Sequence, residues 1–292
     1  VKNNTLSPIF LQSTVGPFSG VGVTGSATPL DIRNPNNTAM LVDQMRFSLR
    51  NLSLIPQDVL VGLAVEVLLG SIPLTNRAVT LGTIAPRYFG AQQQPDNDEG
   101  PDGDGGVTWH FPRPLYVPPN VQLVVNVAQQ RVITVGAYSL NVSIVGRSLP
   151  SDFPIPGSIQ IPWVTETKCF ADVASFVAAD SDLVNSNNVP LNVTQFVGIN
   201  SYQTSNSPTL QNITVQMSLS NGTLLIRDAI PFFLAFPTDR GILPCNARLQ
   251  AGEFARLELE VPTNIPEVTP TLNFTAVAMH GYREIQTPGT FG

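Results

Sequence analysis

Residues 117–127 read VPPNVQLVVNV, and residues 250–261 read QAGEFARLELEV. Each sets a turn of Pro or Gly directly before a run in which every second residue is apolar: Leu123, Val125 and Val127 in the first, Leu257, Leu259 and Val261 in the second. Successive side chains of an extended chain point to opposite faces, so this alternation marks a strand with one buried and one solvated face. Proline fixes φ and lacks an N–H, which puts Pro118 and Pro119 where the chain crosses between sheets, outside any central ladder. Laid on one another, the two stretches bring Pro119 near Gly252, 133 positions on.

The match extends outward. VDQMRFSL at 42–49 meets VTQFVGIN at 193–200, with Gln44 against Gln195, 151 positions on. LAVEVLLGSIPL at 63–74 meets ITVQMSLSNGTLL at 213–225, with Val65 against Val215, 150 on. SIVGR at 143–147 meets AMHGYR at 278–283, with Gly146 on Gly281, 135 on. The drop in offset has one source, the low-complexity segment GAQQQPDNDEGPDGDGG at 90–106, which has no counterpart in the second half. Four blocks in one order with one change of length predict an internal duplication.

Almost everywhere the pattern has period two, is rich in Val, Ile, Thr and Phe, and is broken by Gly, Pro and Asn every ~8 to 12 residues, which is the mark of a β-sandwich or barrel. The expected fold is therefore all-β: two tandem eight-stranded jelly-roll sandwiches, each managing its edges by packing two sheets through Greek keys. The expected boundaries are an N-terminal arm at 1–18, a first jelly roll at 19–149 with its insertion at 90–106, a Pro-rich linker at 150–161, a second jelly roll at 162–285 and a tail at 286–292. The one stretch read as helical is FADVASFVAADSDLV at 170–184, a short helix near the start of the second sandwich, with helical turns near Pro56–Val59 and Thr75–Val79.

Of 292 residues, 42% are apolar, enough for a core, but only 12% are charged, where an average chain carries about 25%. Uncharged polar surface suits broad packing against other protein. Net charge is -6, and the basic residues are scattered, so no stripe stands ready to neutralise a phosphate backbone and no direct nucleic-acid contact is expected. The longest apolar run, VLVGLAVEVLLG at 59–70, is too short for a membrane span and carries Glu66. No signal-peptide pattern opens the chain, and it reads as soluble. Cys169 and Cys245 are too few for a disulfide scaffold and too far apart for a zinc knuckle; two packing thiols and a single bridge both remain open.

Catalytic signatures are missing: there is no GxSxG elbow, HExxH, P-loop or Rossmann glycine pattern. His110 and His280, the only histidines, stand among apolar or aromatic neighbours at strand ends and read as structural. Asp96, Asp98, Asp102 and Asp104 in the acidic loop are a weak calcium candidate: an EF-hand starting at Asp96 would need Gly where Pro101 stands and an acid where Val107 stands. Eight Asn-x-Ser/Thr sequons follow from a composition rich in Asn and Thr. Glu66, Glu258 and Glu260 are placed outward on strands rather than flanking a cleft. No enzyme, cofactor or metal is expected.

Two jelly rolls in tandem, carried by VPPNVQLVVNV…SIVGR and QAGEFARLELEV…AMHGYR over about 19–285, resemble the double jelly-roll major capsid proteins of tailless icosahedral bacteriophages of the PRD1, PM2 and FLiP kind. The resemblance implies a homotrimer whose six barrels form a pseudo-hexagonal capsomer, packed against neighbouring capsomers and other capsid proteins, pentons and minor proteins among them, over an internal membrane. It implies a place in the virion, with assembly in the host cytoplasm. The arm's Phe10 and Phe18 are then subunit contacts, while Pro118, Pro119, Gly146 and Gly281 are structural. The amphipathic basic N-terminal helix of some relatives has no counterpart here. The alternatives are a carbohydrate-binding or glycan-hydrolysing double β-sandwich, for which Trp109 and Trp163 supply few stacking surfaces, and a minor capsid or spike protein.

Overall fold

The computed structural model describes residues 7–18, 28–34, 38–50, 59, 62–77, 79–84, 107–130, 138–150, 153, 156–171, 178–201, 213–237, 241–260 and 274–286. By internal contacts the chain divides into two compact units, Val1–Leu81 with Asp96–Trp163 and Tyr282–Gly292, and Gly82–Pro95 with Val164–Gly281.

The first half forms β1 (Ser7–Phe18), β2 (Thr28–Ile32), β3 (Met40–Arg50), β4 (Leu63–Leu69), β5 (Ile72–Pro73), β6 (Val79–Thr80), the one-turn helix α1 (Leu81–Ile84), β7 (Val107–Val117), β8 (Leu123–Gln129) and β9 (Tyr138–Ser148). They make one antiparallel sheet in the order β1-β9-β3-β7 and another in the order β2-β8-β4-β5, with β6 also on β4. The second half forms β10 (Ser158–Val164), β11 (Lys168–Ala171), β12 (Ala178–Val184), β13 (Leu191–Ser201), β14 (Thr214–Leu219), β15 (Leu224–Pro231), the one-turn helix α2 (Phe232–Ala235), β16 (Ile242–Leu249), β17 (Phe254–Glu260) and β18 (Phe274–Gln286). Its sheets run β10-β18-β13-β16, with β11 also on β18, and β12-β17-β14-β15.

The interrupted strands β5/β6 and β10/β11 each fill one place beside a single neighbour, so each half has eight strand positions in the same order. Consecutive strands fall in opposite sheets except the fourth and fifth positions, which pair with each other, and the last strand returns between the first and third; this is the jelly roll. Inward rows such as Leu123, Val125 and Val127, or Ala255, Leu257 and Leu259, are fully buried and alternate with half-exposed or exposed residues. Removing one Val or Leu side chain from water contributes about 1.5–3 kcal/mol, so these rows are what close each sandwich.

Four local readings are corrected. Residues 178–184, expected as helix, are the strand β12, paired along its whole length from Ala178↔Glu260 to Val184↔Phe254. A full ladder, with Arg256 holding the Asp182 carboxylate through two hydrogen bonds of 2.9 and 3.2 Å, outweighs the mild helix preference of an Ala-rich run. The same helix reading over 170–171 falls in β11, and over 172–177 it lies outside the described residues. From Ser7 onward the expected arm is β1, hydrogen-bonded to β9 from Ser7↔Ser148 to Phe18↔Tyr138. The linker's last residues, 158–161, open β10. The helical turn placed at 75–79 occurs at 81–84, after β6.

Candidate functional site

No described group of three or more His, Cys, Asp or Glu is arranged to hold a metal ion. The sites that geometry defines are corners, built twice. After β7, Val121 N donates to Pro118 O at 3.3 Å, with Pro119 next and Asn120 at φ 62. This is a type II turn, in which Pro suits the second position and the third needs positive φ. After β16, Glu253 N donates to Gln250 O at 3.1 Å, and Gly252 has φ 79. Asn120 is thus the counterpart of Gly252, an offset of 132 rather than the 133 of the sequence match. A one-residue slip exchanges the two faces of a strand, and only the shorter offset sets buried Leu123 on buried Ala255. Pro118 and Pro119 stand at the sheet crossing. Pro112 and Pro114 lie on the edge strand β7, in a run, Phe111–Pro114, that pairs with nothing on β3.

A second corner joins a bulge to a glycine. On β3, Val42 faces Gly146 and Gln44 faces Val145, so Asp43 is an extra residue; it accepts a hydrogen bond from Arg147 Nη2 at 3.0 Å. On β13 the register slips between Val193 and Gln195, and Thr194 Oγ1 donates to the His280 carbonyl at 3.4 Å. A Cβ on Gly146 would collide with the Leu41 carbonyl oxygen and lie 2.9 Å from Val42 Cα. A Cβ on Gly281 would collide with the Asn192 carbonyl oxygen and lie 3.0 Å from its carbon. Neither glycine is among those with positive φ, so close approach of a bulged backbone, not a left-handed conformation, is what demands glycine.

A third corner has no place in the sequence reading. Asn185, fully buried, donates Nδ2 to the carbonyls of Val189, Leu249 and Gln250 at 3.0–3.1 Å and accepts from Asn187 N at 3.2 Å. In the first half Asn34 donates to Thr38 O at 2.8 Å. Both lie 151 positions apart, and the signal that could have found them is NPNN at 34–37 against NSNN at 185–188. Each closes the loop ahead of the third strand position by satisfying backbone carbonyls that packing removes from water.

The other singled-out residues are dispersed. Asp96, Asp98, Asp102 and Asp104 lie outside the described residues. Phe10 is 60% exposed on the edge strand β1; the side chain of Phe18 is outside the described set. His110 is exposed on β7. Glu66 accepts from Asn126 Nδ2 at 2.8 Å and pairs with Arg77 at 3.3 Å. At the matching cross-strand position of the second half the partners are Gln216 and Glu258, so the carboxylate has changed strands. Cys245 is a free thiol on β16, half-buried, and burial raises its pKa. His280 is buried, with Nε2 donating to Thr83 O at 2.7 Å.

Two jelly rolls of one strand order, with matching register slips on the third strand and matching glycine, turn and asparagine corners, define a double jelly roll. No family model and no curated protein matches the sequence. Among solved structures, VP54 of PBCV-1, fitted into a reconstruction of the virophage Sputnik, aligns with 99% of this chain and 96% of its own at a TM-score of 0.50 and 9% identity. Major capsid protein P2 of bacteriophage PM2 aligns with 97% of this chain and 100% of its own at a TM-score of 0.46 and 10% identity. The mavirus major capsid protein covers 94% and 87% at 0.33 and 9%. These similar structures are double jelly-roll major capsid proteins; the likeness to VP54, at 9% identity, is one of fold.

Proposed function

We propose that this chain is a major capsid protein that assembles as homotrimers, each a pseudo-hexagonal capsomer of an icosahedral shell. The observation that carries the reading is the doubled jelly roll running through the whole chain, the architecture it shares with PBCV-1 VP54 over 99% of its length. Two equal sandwiches in one chain let three copies present six similar faces, and closed symmetric rings are the common outcome of protein association. The sparsity of charge supports extensive side-to-side packing. In this reading the chain is a structural protein without catalytic activity. It resides in the virion after assembly in the host cytoplasm, and its partners are neighbouring capsomers, penton and minor proteins and an underlying membrane. Phe10, exposed on β1, is a subunit contact.

Sedimentation velocity and negative-stain imaging of the purified protein test this. The expected result is a species of three 31.4 kDa chains with a hexagonal outline and no hydrolase activity. A monodisperse monomer that binds or cleaves glycans would overturn the proposal in favour of a carbohydrate-directed double sandwich.

A further inference from the structure

The two halves agree closely around their last strands, which makes their difference there informative. Just before the paired glycines stand Val145 in β9 and His280 in β18. Val145 is half-exposed on a strand that alternates; His280 belongs to a run, Thr275–His280, buried on both faces. The jelly roll by itself therefore does not require an imidazole at this position, and its partner explains it. His280 Nε2 lies 2.7 Å from the Thr83 carbonyl in α1. A carbonyl only accepts, so Nε2 carries the proton and Nδ1 of the neutral ring carries none. Thr83 Oγ1 shares a 2.5 Å hydrogen bond with Thr167 Oγ1. Thr165 Oγ1 accepts from Met279 N at 3.0 Å, and Thr165 N donates to Met279 O at 2.9 Å. α1, the 165–167 segment and β18 meet at one buried polar point.

We propose that His280 is an acid-released latch: its neutral ring pins the α1 turn to the last strand, and a proton on Nδ1, which leaves the Nε2 bond in place but puts a charge on a buried ring, favours the state in which the ring reaches water and the turn comes free. Among the described residues of the elements around the ring, no carboxylate is placed to offset the added charge. Neither α1, β10 nor β13 carries a titratable residue within its bounds. On the 165–168 segment Glu166 and Lys168 pair with each other at 3.2 Å. On β18 itself Tyr282, Arg283 and Glu284 follow; Arg283 donates to Pro73 O at 2.6 Å and lies over the Trp163 ring, and Glu284 accepts from Ser158. Burial holds the imidazole down to about 4, against the smaller upward pull of the bond to Thr83. The latch does not depend on the shell-building role.

The test is hydrogen exchange of residues 79–84, corrected for intrinsic chemistry, at about pH 7 and about pH 5 in the full chain and in His280→Gln. An ordinary imidazole in the released state makes opening roughly 20-fold more populated at the lower pH. The Gln variant keeps a donor but does not titrate, and is expected to give equal protection at both. Equal protection in the wild type, or the same loss in the variant, overturns the latch. If the variant does not fold, NMR titration of the wild-type ring decides: half-protonation below about pH 5.5 supports it, and at or above that value overturns it.

Discussion

Replacing Gly281 by Ala adds one methyl group, and the structure says where it goes: onto the Asn192 carbonyl oxygen, with the carbonyl carbon at 3.0 Å and Leu191 Cδ1 at 3.1 Å. The first two obstacles are backbone, beside the register slip between Val193 and Gln195 on β13, so neither can rotate away as a flexible side chain would. Overpacking of this kind costs about 1–3 kcal/mol, occasionally more, and a fixed carbonyl argues for about 3. Because the corner is built twice, Gly146→Ala against the Leu41 carbonyl is expected to cost a similar amount. Gly157→Ala, which meets nothing within 4 Å, serves as the control and is expected to change stability by less than about 0.5 kcal/mol. Urea unfolding followed by far-ultraviolet circular dichroism compares the three variants with the wild type. If Gly281→Ala and Gly146→Ala unfold within about 0.5 kcal/mol of the parent, the close-approach account of both glycines is refuted.

Asn185→Ala strips donors from three carbonyls and an acceptor from Asn187 N, and is expected to cost about 3 kcal/mol, against about 1 kcal/mol for Asn34→Ala; paired denaturation curves check the order. His280 is a base whose folded pKa of about 4 lies below its ordinary 6.5, so the unfolded chain takes the proton first. Its contribution is complete above about pH 6.5 and is lost as pH falls toward 4, about 3 kcal/mol in all, which melting curves of wild type and His280→Gln across that window measure by difference. Cys245, its pKa raised by burial, is expected to react with a thiol reagent at pH 8 more slowly than a free cysteine, as timed by absorbance; an equal rate contradicts the half-buried placement.

Local and long-range features of the fold differ in how far the residues alone reveal them. Alternation, turn-forming prolines and a repeated block order are local or near-local signals, so the jelly rolls, the duplication and the crossing at Pro118–Pro119 were legible without coordinates. Gly146 and Gly281 were legible as special positions, but the reason was not, since the carbonyls that crowd them belong to strands about 90–105 residues away. The asparagine corners were missed although NPNN and NSNN stood in plain view, because a polar tetrapeptide in a loop reads as solvated until its burial is known.

By itself the amino-acid order settled what each segment does to its own backbone: where it extends, where it turns, and that it does so twice. Partnership was decided only in three dimensions. The β12 run could have coiled, and became a strand because β17 offered seven paired residues. Residues 7–18 could have hung free, and became an edge because β9 was open beside them. The match of β8 to β17 could slip by one until burial chose the face. His280 could have pointed at water, as its counterpart position half does, until α1 covered it. Period two is written into neighbouring residues, whereas pairing and burial are properties of chain segments that meet only after the backbone has folded.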